Sequence, residues 1–183
     1  KIGTMLLHEL GGIKNRPIAV FMPKCIGAVV SDLAITYSGN IFMNMDVKTP
    51  ANRLESIIRT VKPVAVITIA AERNKFTHLP SDVCVHVLEE LDLDAQLIDD
   101  VTLAGRRAEL IDTDPWCIIN TSGSTGTPKG VVLCHRSFFD FIEWSLEVFG
   151  FTGKEVIGSL SPIIFDIYNY ELCLLMSKGA TMV

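Results

Sequence analysis

Short apolar runs alternate with segments of helical period along the first third of the chain, and this alternation restricts the fold more than any other sequence feature. Residues 18–22 form an apolar run that ends at Pro23, as is typical of a strand buried on both faces. Residues 41–43 and 64–69 form two further runs, the latter rich in β-branched side chains. Repeated strand, helix, strand order predicts an α/β fold, with a parallel sheet and flanking helices.

Two helices are predicted between these strands. The first is followed by Gly39, which suits a C-cap. Its apolar residues, close to helical spacing, are Ile26, Val29, Val30, Leu33 and Tyr37. The second begins at Thr49 and Pro50, because threonine caps helices and proline suits the first helical position, and it ends before Pro63. Its apolar face is formed by Leu54, Ile57, Ile58 and Val61.

The second half of the chain is less regular. Residues 71–114 show no sustained period, so we expect one strand at 83–88 and otherwise loops. Another buried strand is predicted at 116–119. A later helix is capped by Ser137 and ends at Gly150. Its apolar row, interpreted as packing, is Phe138, Phe141, Ile142, Leu146 and Phe149.

Composition excludes several classes of protein. The 183 residues carry 16 basic and 21 acidic side chains, a net charge of −5, which argues against nucleic-acid binding. No apolar run approaches the roughly 20 residues that span a bilayer, and no signal peptide is evident, so we expect a soluble, cytoplasmic protein. The 5 cysteines are widely spaced without C-x-x-C, so we expect small buried core residues and neither disulfides nor a metal site.

Residues 121–130 read T-S-G-S-T-G-T-P-K-G and follow closely on the strand predicted at 116–119. Glycines let backbone N–H groups approach an anion, hydroxyls add donors, and lysine adds a positive charge. The segment therefore predicts a phosphate-binding loop. Its candidate ligands are Thr121, Ser122, Gly123, Ser124, Thr125, Gly126 and Lys129.

The common nucleotide-binding loops do not fit this segment. A Walker A pattern that begins at Gly123 requires glycine where the chain has Pro128. The segment also lacks G-x-G-x-x-G, and it leads into the apolar residues 131–133 rather than directly into a helix.

The segment resembles the phosphate-binding loop of the adenylate-forming (AMP-binding) superfamily, and the chain is most similar to amino-acid adenylation domains of nonribosomal peptide synthetases. That loop has the form T-S-G-[ST]-T-G-x-P-K-G, and residues 121–130 match every fixed position. His135 stands where the family usually has a histidine, whereas Asn120 replaces a frequent tyrosine. A Gly/Ser/Thr segment can also be a flexible turn without a ligand, but the ten-position match disfavours that interpretation.

The resemblance extends through most of the chain. Residues 37–46 are similar to the family stretch K-A-G-x-x-Y-V-P-L-D, with Ser38 in place of alanine and Asn44 in place of proline. Residues 165–171 resemble the peptide-synthetase segment F-D-x-S-x-x-E, in which Tyr168 replaces the serine.

Residues 165–171 carry the implied substrate site. In the family the aspartate, here Asp166, pairs with the α-ammonium of the bound amino acid, and a carboxylate in a partly dry pocket suits a cationic partner. The alternative is that Asp166 only caps a helix that ends near Gly179. The implied substrate-binding residues are Phe165, Asp166, Ile167 and Tyr170.

The resemblance implies a two-step reaction. A substrate carboxylate attacks the α-phosphorus of ATP and releases pyrophosphate, and the acyl-adenylate then passes to a thiol, usually the phosphopantetheine of a carrier-protein domain. Lys129 is implied as a catalytic residue, with Mg²⁺ bridging the phosphates. The first step needs positioning and charge neutralisation more than covalent catalysis.

Three other functions compete with this interpretation. An acyl- or aryl-CoA ligase of the same superfamily needs no ammonium-binding aspartate, but such relatives commonly carry a histidine within residues 162–166, where this chain has none. A non-catalytic nucleotide-binding α/β module is the alternative from another class. A folded scaffold without a ligand is the third, and the loop disfavours it.

The chain is expected to be part of a larger domain. It begins without methionine, and its last residues, 180–183, resemble an apolar strand. We therefore expect residues 1–183 to be a fragment of the large N-terminal subdomain of an adenylation domain, without the C-terminal subdomain. Several residues that the family needs for catalysis normally lie beyond this stretch, so the fragment is expected to be inactive alone.

Overall fold

Six strands form the central sheet of the protein, whose structure is a computed structural model that describes residues 1–80, 83–121 and 128–183. The strands are β1 (Pro17–Phe21), β2 (Ile41–Met45), β3 (Ala65–Thr68), β4 (Cys84–Val87), β5 (Pro115–Thr121) and β6 (Lys129–Cys134). Their order across the sheet is β4-β3-β1-β2-β5-β6. Neighbouring strands are parallel except for β5 and β6, which form an antiparallel hairpin.

Helices cover both faces of this sheet. They are α1 (Ile2–Glu9), α2 (Ile26–Tyr37), α3 (Ala51–Val61), α4 (Asp100–Glu109), α5 (His135–Phe149) and α6 (Asp166–Lys178). Two short 3₁₀ turns lie at Ala70–Phe76 and Leu88–Glu90, and a small parallel sheet joins β7 (Val156–Ile157) to β8 (Thr181–Met182). Among the described residues, no helix combines the length and apolar character that a bilayer crossing requires.

The sheet divides the core into two apolar layers, because successive side chains of a strand point to opposite faces. Ala19 and Phe21 of β1 pack with α3 on one face, whereas Ile18 and Val20 face the layer that contains α1, α2, α5 and α6. The central strands are therefore buried on both faces, as their continuous apolar runs predict.

The predicted parallel strands in the first third of the chain are confirmed, and so are the two helices between them. The apolar face of α3 is also confirmed, since Leu54, Ile57 and Ile58 are buried. The helix ends before Pro63, and Lys62 takes the left-handed conformation after it. Gly150 and Gly179 end α5 and α6 in the same left-handed conformation.

Residues 71–114 differ from the prediction, which placed loops around one strand. The strand is present as β4, but the segment also contains α4 and the two 3₁₀ turns. Helix α4 buries Leu103 and is otherwise largely exposed, so a search for a repeated apolar face does not detect it. Its start has a polar signal instead, because the side chain of Asp99 accepts a hydrogen bond from Thr102 N at 2.9 Å.

The two predicted N-cap residues, Thr49 and Ser137, are wrong. Pro50, rather than Thr49, occupies the N-cap of α3. Helix α5 begins at His135, so Ser137 lies inside its first turn and Cys134 occupies the N-cap. Neither cap residue forms a side-chain capping hydrogen bond.

Helix α2 buries a face other than its apolar row, and the packing predicted for α5 and for the cysteines is partly wrong. Ile26, Val30 and Tyr37 of α2 are exposed, whereas the buried face of this helix includes Ser31 and Asp32. Phe141 and Phe149 of α5 are exposed, although both were assigned to packing. All 5 cysteines are free thiols, but only Cys117 and Cys173 are buried, and Cys25 and Cys84 are exposed.

Gly130 leaves room for packing between the sheet and α3. A Cβ atom at this position would lie 2.9 Å from Ile118 Cγ2 and 3.3 Å from Val61 Cγ2. We expect Gly130→Ala to lower stability by about 1–3 kcal/mol through overpacking. The matched control is Gly105→Ala in the exposed middle of α4, where nothing lies within 4 Å of the added atom.

Thermal unfolding of the purified protein tests this comparison. Gly105→Ala should raise stability by about 0.5–1 kcal/mol, because alanine favours a helix more than glycine does. The two variants should therefore shift the midpoint temperature in opposite directions. If Gly130→Ala unfolded at the same temperature as the unsubstituted protein or at a higher one, the contact with Ile118 would not exclude a side chain at position 130.

Candidate functional site

The predicted phosphate loop connects the two strands of the β5–β6 hairpin. Thr121 ends β5 and Lys129 begins β6, and the two residues face each other in the antiparallel register. The Thr121 hydroxyl donates a hydrogen bond to the Lys129 carbonyl oxygen at 3.4 Å, and both residues are exposed. The hairpin thus places one hydroxyl and one lysine side by side at the base of the loop.

The remaining predicted phosphate ligands lie outside the described residues. They are Ser122, Gly123, Ser124, Thr125 and Gly126. Pro128, which follows them, is buried.

The hairpin base lies at the carboxyl edge of the parallel strands. Strand β5 pairs in parallel with β2 through Phe42 and Cys117, so Thr121 lies at the edge to which β2 also points its carboxyl end. Open α/β sheets bind ligands outside the carboxyl ends of their strands. The position of the hairpin therefore agrees with a ligand-binding role.

A cleft of about 340 Å³ lies between α5, α6 and the end of β6. The residues that line it are Leu133, Ser137, Phe138, Phe141, Asp166, Ile167 and Tyr170. The cleft thus brings together three of the four residues predicted to bind substrate. The fourth, Phe165, is the exposed N-cap residue of α6 and is not part of this lining.

Asp166 is the first residue of α6, rather than its N-cap. Its Oδ1 atom accepts a hydrogen bond from Ile167 N at 2.9 Å, and within the described residues it forms no ion pair. The positive end of the helix dipole favours a negative charge at this position. The carboxylate is therefore placed to receive a cationic group in the cleft.

Tyr170 contributes an aromatic wall to the cleft. Its ring centroid lies 5.0 Å from that of Phe141, and its hydroxyl forms a hydrogen bond with Ser145 on α5. Because Ser145 is buried, this bond turns the polar end of Tyr170 away from the cleft. Among the lining residues Asp166 is the charged one, and the other walls are largely apolar.

Helix α6 is attached to the loop after β1 by a polar cluster that sequence reasoning did not predict. The buried carboxylate of Glu171 accepts a hydrogen bond from the Ser159 hydroxyl and lies 3.7 Å from Lys24 Nζ. Lys24 Nζ also donates to the carbonyl oxygens of Ser159 and Ser161, each at 2.6 Å. The resemblance to F-D-x-S-x-x-E singled out Glu171, but nothing in the sequence linked it to Lys24.

His135, the histidine expected from the resemblance, lies outside the lining of this cleft. It begins α5, and its ring centroid lies 6.2 Å from that of Trp116. Burial lowers the pKa of the imidazole, and the nearby charge of Asp114 opposes that shift. The neutral ring thus serves to pack the start of α5 against β5.

Comparisons with known proteins agree with this geometry. Residues 1–183 match the family model described as AMP-binding enzyme. The whole chain is 32% identical to part of the hybrid PKS-NRPS synthetase gkaA of Penicillium citrinum, and 97% of it aligns at 30% identity with a dimodular nonribosomal peptide synthase of Bacillus subtilis strain 168. The chain spans 4% and 7% of the length of these two relatives.

Solved structures share the fold over the entire chain. The nonribosomal peptide synthetase FmoA3 in its AMPPNP-bound form superposes with a TM-score of 0.80 at 25% identity, and the chain covers 18% of that protein. VinN in complex with L-aspartate superposes with a TM-score of 0.81 at 19% identity, and the chain covers 51% of it. The family model matches the entire chain, and the sheet and the β5–β6 hairpin agree with it. The chain therefore belongs to the AMP-binding enzyme family of adenylate-forming enzymes.

Proposed function

We propose that the chain takes part in the ATP-dependent activation of an amino acid as its acyl-adenylate. The observation that carries this proposal is the Asp166 carboxylate, which lies at the start of α6 in a cleft with largely apolar walls. An amino acid presents an ammonium group to such a carboxylate, whereas a simple fatty or aryl acid has no cation to offer. FmoA3, which shares this fold, has been solved with bound α-methyl-L-serine-AMP, an adenylate of this chemical class.

ATP phosphates would bind at the β5–β6 hairpin. The exposed Thr121 hydroxyl and Lys129 ammonium lie at its base, and the segment between them supplies the remaining glycines and hydroxyls. The matching structure of FmoA3 with AMPPNP shows that a relative with this fold binds an ATP analogue. Lys129 would stabilise negative charge on the departing pyrophosphate, which is the main electrostatic requirement of the first step.

Mg²⁺ would be held chiefly by the ATP phosphates. The described residues contain no group of three acidic, histidine or cysteine side chains that could bind a metal ion. Mg²⁺ commonly binds through substrate phosphates together with one or two carboxylates. The described part of the protein fits a site in which ATP supplies most of the ligands. When bound, the ion would neutralise phosphate charge.

The α6 end of the cleft would orient the amino acid. Asp166 would pair with the α-ammonium group, and Ile167 and Tyr170 would contact the side chain from the cleft wall. Phe165 would contribute from the mouth, since it is exposed one residue before Asp166. Holding the ammonium in place directs the substrate carboxylate towards the α-phosphorus, which lowers the entropic part of the barrier.

We also propose that residues 1–183 are part of the large N-terminal subdomain of an adenylation domain. Helix α5 exposes a row of aromatic side chains, including Phe141, Trp144 and Phe149, that a complete domain would cover. The small share of each curated relative that the chain spans agrees with this proposal. A carrier-protein domain with phosphopantetheine would then accept the acyl group, as expected of nonribosomal peptide synthetases.

The 183-residue chain alone should not form an adenylate. The described lining of the Asp166 cleft comes from α5, α6 and the end of β6, and Phe141 beside it stays exposed, so the amino acid would be held weakly and affinity for the transition state should be low. The measurement is amino-acid-dependent ATP–pyrophosphate exchange by the purified chain, with the full-length protein as the positive control. Exchange by the chain at a rate comparable to the full-length protein would contradict the proposed domain extent.

Asp166→Asn in the full-length protein tests the ammonium-binding role. Loss of the charge should lower kcat/KM for the preferred amino acid by about 100-fold or more, because the bound ammonium would lose its ionic partner. Asp140→Asn, an exposed aspartate on α5 outside the cleft lining, is the matched control and should leave kcat/KM unchanged. If Asp166→Asn retained full turnover, the substrate would be an acid without an ammonium group.

Lys129→Ala tests the phosphate-binding role of the hairpin. We expect kcat for ATP–pyrophosphate exchange to fall by roughly 100- to 1000-fold, the usual cost of removing one group that stabilises transition-state charge. Lys154→Ala removes another exposed lysine, which precedes β7, and should have no effect. An unchanged kcat for Lys129→Ala would assign phosphate neutralisation to other residues of the protein.

A further inference from the structure

A buried carboxylate connects three elements beneath the candidate amino-acid site. Asp32 on α2 is fully buried, and its Oδ2 atom accepts two hydrogen bonds. Tyr168 on α6 donates one through its hydroxyl at 2.8 Å, and Asn44 on β2 donates the other through Nδ2 at 2.9 Å. Both donors are themselves buried, so the three side chains form a hydrogen-bonded polar cluster inside an apolar layer.

Tyr168 lies on the same helical turn as the residues that line the cleft. Asp166, Ile167 and Tyr170 face the cleft, whereas Tyr168 and Leu172 face the core. This division follows from the helical period, which places residues four apart on one face. Any displacement of Tyr168 therefore moves the cleft side of α6 with it.

The cluster restricts where Tyr168 can lie. Burial raises the pKa of Asp32 to about 7, although the hydrogen bonds from Asn44 and Tyr168 lower it. The second oxygen, Asp32 Oδ1, is buried and has no partner among the described residues. A carboxylate in such surroundings depends on its two donors, since a buried charge without hydrogen bonds is strongly unfavourable.

The two donors coincide with two departures from the family pattern. Asn44 stands where the pattern has proline, and Tyr168 stands where it has serine. Proline has no side-chain donor, and a serine hydroxyl is too close to the backbone to reproduce the reach of tyrosine. Both differences from the pattern thus meet at the same oxygen atom of Asp32.

We propose that Tyr168 is a positioning residue of the amino-acid subsite. It acts through its hydrogen bond to Asp32, whose carboxylate also accepts a hydrogen bond from Asn44. The cluster sets the position of the first turn of α6 and so aligns Asp166 with the substrate ammonium. This inference rests on the proposed activation of an amino acid. It assigns no contact between Tyr168 and the substrate.

Two buried thiols and the Tyr168 hydroxyl in this part of the core have pKa values well above neutral. Cys117 on β5 and Cys173 on α6 are buried, which raises the pKa of Cys173 to about 12 and that of Cys117 further. Burial and the charge of Asp32 raise the pKa of Tyr168 far above neutral as well. Lys24 Nζ lies 5.6 Å from the centre of the Tyr168 ring, and it is paired with Glu171.

The first test compares Tyr168→Phe with the unsubstituted full-length protein in ATP–pyrophosphate exchange. Removing the hydroxyl should raise KM for the amino acid by about tenfold, the effect of losing one hydrogen bond to a charged group. The KM for ATP should stay the same, because the phosphates bind at the hairpin. Tyr37→Phe, which removes an exposed hydroxyl from α2, is the matched control and should change neither constant.

The second test is the pH dependence of KM for the amino acid between about pH 5.5 and 8.5. The unsubstituted protein should show a transition near 7, and Tyr168→Phe should move it to higher pH, because the lost hydrogen bond favoured the ionised carboxyl. Asp32→Asn keeps the shape of the side chain but cannot ionise, so it should abolish this transition. A packing role for the tyrosine ring alone would move none of these midpoints.

The outcomes separate this inference from the proposed function. If no amino acid supports exchange by the unsubstituted full-length protein, the proposed function fails before any variant is compared. If exchange occurs and Tyr168→Phe keeps the native KM and pH transition, the positioning role is overturned. An equal rise in KM for ATP would also overturn it, since the effect would then not be confined to the amino-acid subsite.

Discussion

Burial of the central strands on both faces is the constraint on which the rest of the structure depends. Strands β1, β2, β3 and β5 run in parallel, and a parallel sheet must have helices on each face because its crossovers lie there. The carboxyl ends of these strands consequently meet at a single edge. Lys24 follows the carboxyl end of β1, and Thr121 is the carboxyl end of β5, from which the segment to β6 continues. The direction of the strands thus determines the location of the candidate site, independently of the side chains that line it.

The antiparallel strand β6 modifies this plan at one position. A parallel continuation after β5 would need a long crossover, whereas the hairpin returns directly and leaves a short connecting segment between Thr121 and Lys129. The return also carries the chain to α5, so that Leu133 and Phe138 can line the cleft that Asp166 closes from α6. One reversal of strand direction thus links the proposed phosphate and amino-acid subsites through a single strand.

The sequence was sufficient for the central strands and for the elements with a strong apolar period. Helix α3 is the clearest case, since its apolar stripe and the proline after it agree with the structure. Helix α4 was missed because it lies on α1 and α2 as an outer layer and needs little apolar surface to do so. In α2 the apolar count was misleading, because the buried face contains Ser31 and Asp32 beside Ala28, Ala34 and Ile35, whereas Ile26 is exposed. A hydrophobic period does not locate the buried face of a helix where small or hydrogen-bonded polar side chains occupy part of that face.

The candidate site was predictable to the extent that it depends on local sequence. Asp166, Ile167 and Tyr170 lie three to four residues apart at most, so a helix alone brings them to one cleft. The contacts that hold this helix in place are of a different kind. Tyr168 and Asp32 are separated by 136 positions, and Lys24 and Ser161 by 137. No local pattern encodes such pairs, because each member is chosen by the partner that the folded sheet places opposite it.

The two sides of α6 therefore have different functions within the same helical turn. The cleft side carries the accessible carboxylate of Asp166, and the helix dipole stabilises its negative charge at the N-terminus. The core side keeps Tyr168, Asn169 and Glu171 buried, where hydrogen bonds to other elements offset the desolvation of their polar groups. The partners belong to α2, β5 and the loop after β1, and Asp32 of α2 in turn accepts a hydrogen bond from Asn44 of β2. The position of Asp166 therefore depends on several elements of the sheet and its helices. A mutation far from the cleft can alter the site by this route, without changing any residue that lines it.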